Sequence, residues 1–200
     1  MATSLTAVGF VWAILSLAAA LLCCTGFYIP FWIQGRLLGK VDAYFNSFRR
    51  CNYPRVSPEG IVEIVEECGR YTRFWDIPSP WWQASTVLVG TGSALALLIA
   101  VTATAACCIK YVIYSGTARI AGILQFTSVL LVITGVAIYP LGWDNREVQE
   151  ACGNNSHVYK LGTCQLSWSV YILASAVLLL LICVCLSFCA SRINGSSFRI

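Results

Sequence analysis

The sequence predicts an all-α membrane protein: one tetraspan domain over residues 1–200, with four transmembrane helices and two large outer loops. Three observations point there. Only 11% of the residues are charged and 58% are hydrophobic, whereas soluble domains carry a charged fraction near a quarter. The apolar residues come in blocks: residues 1–35, 77–109, 120–143 and 161–191 contain no Asp, Glu, Lys or Arg. Each block exceeds the roughly 20 residues that cross a bilayer core. Third, the polar stretches between the blocks hold an even set of four cysteines. Helices are expected at about 5–29, 82–109, 120–139 and 166–190, with outer loops 30–81 and 140–165, an inner loop 110–119 and an inner tail 191–200.

The first block has no basic start, and its apolar core far exceeds a signal peptide's 7–15 residues, so it is read as a retained span. Gly9 and Ala13, then Ser16 and Ala20, put small residues on one face where a neighbouring helix can approach closely. Tyr28-Ile29-Pro30-Phe31-Trp32 supplies aromatics at headgroup level and a proline that stops the helix.

Four spans place both termini on one side. The 110–119 connection carries Lys110 and Arg119 without an acid, and the tail carries Arg192 and Arg199. Loop 30–81 has seven Lys/Arg against six Asp/Glu, and loop 140–165 has two against three. Basic residues alone, the quantity the positive-inside rule counts, argue mildly against placing the long loop outside. The cysteines arbitrate: four of the eleven, Cys51, Cys68, Cys152 and Cys164, lie in the two large loops, an even number suited to an oxidising space. Both termini are therefore expected in the cytosol and the chain in the plasma membrane. Three pairings are open to four cysteines; Cys51–Cys68 with Cys152–Cys164 is preferred because each bridge is local.

In loop 30–81 short alternations such as Tyr44-Phe45-Asn46-Ser47-Phe48 and Ile61-Val62-Glu63-Ile64-Val65 read as strands. A piece this small needs staples, and closing the 18-residue Cys51–Cys68 loop stabilises by about 3 kcal/mol. Arg49, Arg50 and Arg55 precede Glu63, Glu66 and Glu67, a charge split that suits either a solvated face or a partner-reading surface. Ser79-Pro80 opens the second helix, serine as cap and proline in the first turn. Six of the seven tryptophans, all but Trp12, fall at outer ends and read as an anchoring belt. Within the second helix Gly90, Gly92, Ala94 and Ala96 suggest close packing. Gln125, the most polar side chain in any span, is expected to bond across helices. The spans hold no ionisable side chain apart from cysteine and tyrosine, which argues against a pump or coupled transporter.

Several smaller signals remain. Asn154-Asn155-Ser156 is a glycosylation triplet in the second outer loop, whereas Asn194-Gly195-Ser196 falls in the inner tail and is expected unused. Cys107, Cys108, Cys183, Cys185 and Cys189 lie near inner helix ends, where thiols are either palmitoylated or small apolar filler. The terminus Ser197-Phe198-Arg199-Ile200 suits addition to a PDZ groove. His157 is the sole histidine and lacks neighbours at metal-ligand spacing. No catalytic constellation, cofactor motif or nucleic-acid patch is found, so an enzyme is not expected.

Phe48-Arg49-Arg50-Cys51-Asn52-Tyr53-Pro54, Val65-Glu66-Glu67-Cys68-Gly69-Arg70-Tyr71, Tyr139-Pro140-Leu141-Gly142-Trp143-Asp144, Cys152-Gly153 and Leu161-Gly162-Thr163-Cys164 with Trp168 together resemble the LHFPL tetraspans, the lipoma-fusion-partner-like proteins. The resemblance covers nearly the whole chain, and the first-loop wording is nearest the founding branch. It implies a claudin-like architecture, a left-handed four-helix bundle with a small extracellular β-sheet drawn from both loops. It also implies an accessory subunit that binds a channel, receptor or adhesion protein and supports its assembly, trafficking or gating. Arg49, Arg50, Tyr53, Glu66, Glu67, Arg70, Trp143 and Asp144 become the candidate partner surface, with small-residue helix faces against membrane lipid, a partner's helix or a second copy. True claudins carry Gly-Leu-Trp where this chain reads Gly35-Arg36-Leu37-Leu38, and space their first-loop cysteines more closely. A claudin-like adhesion or paracellular permeability protein is thus the alternative.

Overall fold

A computed structural model describes residues 7–37, 41–56, 62–108 and 115–196. Its order is α1 (Ala7–Tyr28), β1 (Ile33–Leu37), β2 (Val41–Phe45), β3 (Arg49–Val56), β4 (Val62–Arg70), α2 (Pro80–Cys108), α3 (Ser115–Ile138), α4 (Arg146–Cys152), β5 (Gln165–Leu166) and α5 (Trp168–Ser196). Short 3-10 turns cover Phe74–Asp76 and Tyr139–Gly142. Four helical stretches are long and apolar enough to span a membrane: Val8–Tyr28, Pro80–Ala105, Gly116–Gly142 and Trp168–Cys189. The chain divides into a helical unit, drawn from Met1–Gly26, Val89–Ile133 and Ile172–Ile200, and a sheet unit, drawn from Phe27–Leu88 and Thr134–Tyr171.

In the helical unit the backbone polar groups are satisfied within each helix, as hydrocarbon requires. The core joins Trp12 and Ala13 of α1, Ile99 and Ala103 of α2, and Cys183 of α5, flanked by Leu124 of α3. Small residues set the spacing. Gly9, Ala13, Ser16 and Ala20 are buried along one face of α1. A Cβ on Gly92 would stand 2.8 Å from Val132 Cγ2 and 3.1 Å from the Ser128 carbonyl oxygen, and the Ser128 hydroxyl donates to the Gly92 carbonyl at 2.7 Å. Gln125 bridges helices: it accepts from the Trp12 indole N–H at 3.2 Å and donates to Ser16 Oγ at 2.8 Å.

Gly9 and Ala13 on α1 and Gly92 on α2 are buried within the chain. Gly90 is half-buried and Ala94 exposed, because a spacing of two residues turns side chains to different sides of a helix. Phe10, Ile14, Leu17, Leu98, Ile123, Leu130 and Leu178 are large, apolar and exposed on these helices, as contact with hydrocarbon demands. The chain is a multi-pass membrane protein.

In the sheet unit the five strands run β4-β3-β2-β1-β5, every neighbouring pair antiparallel. The first large loop, residues 30–81, builds four strands. The second contributes only β5, where Gln165 and Leu166 pair with Gln34 and Ile33. It also forms α4, a helix within the expected loop whose cap signal is present in the sequence. Asn145 Oδ1 accepts from the Val148 N–H at 3.0 Å, capping a run of good helix formers with Glu147 in its first turn.

Disulfides join Cys51 to Cys68 across β3 and β4, and Cys152 to Cys164, with Cα separations of 4.0 and 4.9 Å. Gly35 faces the second bridge; a Cβ there would run into Cys164 Sγ and stand 3.0 Å from the Ala151 carbonyl. The β3–β4 register slips between Cys51 and Tyr53. Glu66 and Glu67 thus oppose Asn52, which sits at φ 57° and donates to the Asp42 carbonyl at 2.6 Å. A bulge bearing two carboxylates on an edge strand discourages strand addition.

Candidate functional site

Within the sheet unit, α4 packs on β1 and lines, together with β3 and β4, an open groove of about 780 Å³. At its centre Arg50 forms an ion pair with Glu147. The Arg50 guanidinium lies over the Tyr53 ring at 4.1 Å and the Tyr71 ring at 4.9 Å. Tyr71 donates its hydroxyl to the other Glu147 oxygen at 2.6 Å. Burial, and then the Glu147 carboxylate, push the Tyr71 phenol far above its usual range, so it stays a proton donor to Glu147 at every physiological pH. Arg50 and Tyr53, expected to read a partner, form an internal strut between the two loops. The charge pattern of β3 gave half of it; Glu147 and Tyr71 come from elsewhere in the chain.

A second cluster is aromatic. Tyr139 stacks on Trp82 at 5.1 Å and meets Trp32 edge-on at 4.9 Å and Trp143 at 6.1 Å. A Cβ on Gly142 would collide with the Trp82 ring, which explains the glycine in Tyr139-Pro140-Leu141-Gly142-Trp143. Trp143 is therefore buried, not part of a partner surface, and Trp32 and Trp82 are fully enclosed. Trp75, Trp81 and Trp168 are exposed. Asn46 closes this side: it donates to the Phe27 and Ile29 carbonyls at 3.1 and 3.2 Å and accepts from the Phe48 and Arg49 amides at 2.9 and 2.6 Å. Arg49 donates to the Tyr28 carbonyl at 3.2 Å and covers the Tyr28 ring at 4.4 Å.

Of the expected partner residues, Glu66, Glu67, Arg70 and Asp144 are exposed, and Asp144 lies 3.6 Å from the exposed His157. The sequence reading missed a different surface. Trp75 is 79% exposed and in edge contact with Phe74. Beside them a nearly apolar groove of about 460 Å³ is lined by Phe74, Pro80, Gln83, Ala84, Val87 and Leu88. The signal available was the tight spacing of Phe74, Trp75 and Trp81, which the anchoring-belt reading absorbed.

Among the described residues no group of three or more His, Cys, Asp or Glu could hold a metal ion. On α5 Cys183 is buried, whereas Cys185 and Cys189 are exposed; the side chains of Cys107 and Cys108 lie outside the described residues, as does the tail 197–200. Asn154 is exposed in the turn after α4.

The sequence matches the family described as "Lipoma HMGIC fusion partner-like protein" over residues 8–193. It is 31% identical to the LHFPL tetraspan subfamily member 2a protein of Danio rerio over 60% of this chain and 54% of that one, so it spans about half that relative's length. It is 29% identical to the member 3 protein of Homo sapiens over 84% of this chain and 67% of that one. With the human member 2 protein the identity is 24%, over 88% and 83%. Four spanning helices, two stapled loops sharing one sheet and a match across nearly the whole length lead to one conclusion: the chain belongs to the lipoma HMGIC fusion partner-like family, the LHFPL tetraspans.

Proposed function

We propose that the protein is a non-enzymatic accessory subunit of the plasma membrane, both termini cytosolic, that binds an integral channel, receptor or adhesion protein and supports its assembly, trafficking or gating. The observation that carries this reading is the Phe74–Trp75–Trp81 surface with its adjoining apolar groove. Exposed tryptophans beside an apolar pocket have the character of interface hot spots. Ala84 in the middle of the groove lets a foreign helix approach closely. The groove lies on the first turns of a spanning helix, so its occupant is itself a membrane protein. Of the small-residue positions, Gly9, Ala13 and Gly92 are buried within the chain, Gly90 is half-buried and Ala94 is exposed.

Affinity capture of the full chain in mild detergent, with mass spectrometry of what co-purifies, tests the reading. One membrane protein in stoichiometric amount is expected with the wild type, reduced at least tenfold with the double variant Phe74→Ala, Trp75→Ala, a loss of about 1.4 kcal/mol or more. Capture unaffected by the variant would move the docking surface elsewhere. Strands of this protein alone at cell contacts, with altered ion leak, would replace the accessory role by claudin-like adhesion.

A further inference from the structure

We propose that Asn154 carries an N-linked glycan whose innermost sugars lie in the groove between α4 and strands β3 and β4. The inference rests on the external placement of loop 140–165 in the reading above. Asn154 opens an Asn-x-Ser triplet, is exposed, and lines the groove itself. The groove's volume of about 780 Å³ falls within the range of small-molecule sites.

Its chemistry selects the occupant. Among the described residues four charged side chains face it, and they are already paired: Arg50 with Glu147, Arg146 with Glu150. A charged ligand would have to displace one of these partners, whereas a neutral, hydroxyl-rich one would not. Pro54 and Ile64 offer apolar wall for the carbon face of a pyranose ring, and Gln149 offers an amide for its hydroxyls. A sugar bonded to Asn154 also needs little affinity, because the covalent link holds it at high effective concentration.

The same geometry sets the order of events. Ser156, the third residue of the triplet, is completely buried, so the folded loop does not present the acceptor sequence. Transfer therefore precedes closure of the Cys152–Cys164 loop. In that step Asn154 Nδ2 bonds to the anomeric carbon of a lipid-pyrophosphate-linked oligosaccharide. The anomeric C–O bond breaks, the lipid pyrophosphate leaves, and one amide proton is released.

The test uses the full chain made in a eukaryotic secretory host and treated, folded and in mild detergent, with peptide-N-glycosidase. The mass should fall by one glycan, and Asn154→Gln should run at the lower mass untreated. Hydrogen exchange over 146–154 and 62–65 should quicken roughly threefold or more on removal, with residues 92–104 unchanged. Enzymatic removal acts on folded protein, so this readout stands even if Asn154→Gln folds poorly. Mass loss with unchanged exchange would put the glycan in solvent and overturn the groove assignment. No mass loss even after the protein is denatured would overturn the inference altogether. Terminal tags probed in intact cells separate the two levels: tags found outside defeat the orientation, while tags found inside without a glycan defeat this inference alone.

Discussion

All three arginine–carboxylate ion pairs among the described residues, and both disulfides, lie in the sheet unit; the helical unit is held by small-residue packing and a few hydrogen bonds. The difference follows from the solvent each unit meets. Lipid tails are as apolar as leucine, so helices in a membrane gain nothing from hiding apolar surface and associate through close packing and hydrogen bonds. A small sheet in water has too little core to stand on burial alone and needs covalent and charged staples. One chain thus uses two stabilising chemistries, and the two should fail separately.

The largest test removes a staple. Cys51→Ala with Cys68→Ala should cost the sheet unit about 3 kcal/mol, read as faster hydrogen exchange over β3 and β4 without change over residues 8–24. Equal loosening of both would show that the units do not stabilise themselves independently. Glu147→Ala comes next, at about 2 kcal/mol, because it leaves the Arg50 guanidinium between two rings, only 26% exposed and without its carboxylate. Glu147→Gln, which keeps an acceptor for Tyr71, should cost about half as much by thermal unfolding in detergent. In the helical unit Gly92→Leu should cost about 1–2 kcal/mol by overpacking against Val132, whereas Ala94→Leu, facing outward, should stay within about 0.5 kcal/mol. Among the buried positions the smallest effect is expected from Gln125→Leu, about 1 kcal/mol, since buried hydrogen bonds in membranes are individually weak. A loss of about 3 kcal/mol there would make the polar bridge, not packing, the main tie between these helices.

The spans were legible because hydrocarbon thickness imposes a minimum apolar length that any fold must meet. Their ends were less so. α3 starts at Ser115 rather than Ile120, taking in the exposed Arg119, whose long stem can reach water from within a helix. α4 was missed because a seven-residue helix gives too few turns for a period to register. Arg50, Tyr53 and Trp143 carry the residue types of an interface, yet Arg50 is engaged inside the sheet unit by Glu147 and Tyr71, both distant in the chain, Tyr53 lies under the Arg50 guanidinium, and Trp143 meets Tyr139.

Composition and spacing alone dictated how many times the chain crosses the membrane, that its water-exposed parts need bridges, and which family it resembles. These follow from length, charge and motif, all of them local quantities. Which tryptophans are core and which are surface, and whether a small-residue face is free or filled, could not be read that way. An aromatic at the end of a span has the same composition whether it points inward or outward, and its direction is set by contacts between segments about a hundred residues apart, such as Trp32 with Tyr139.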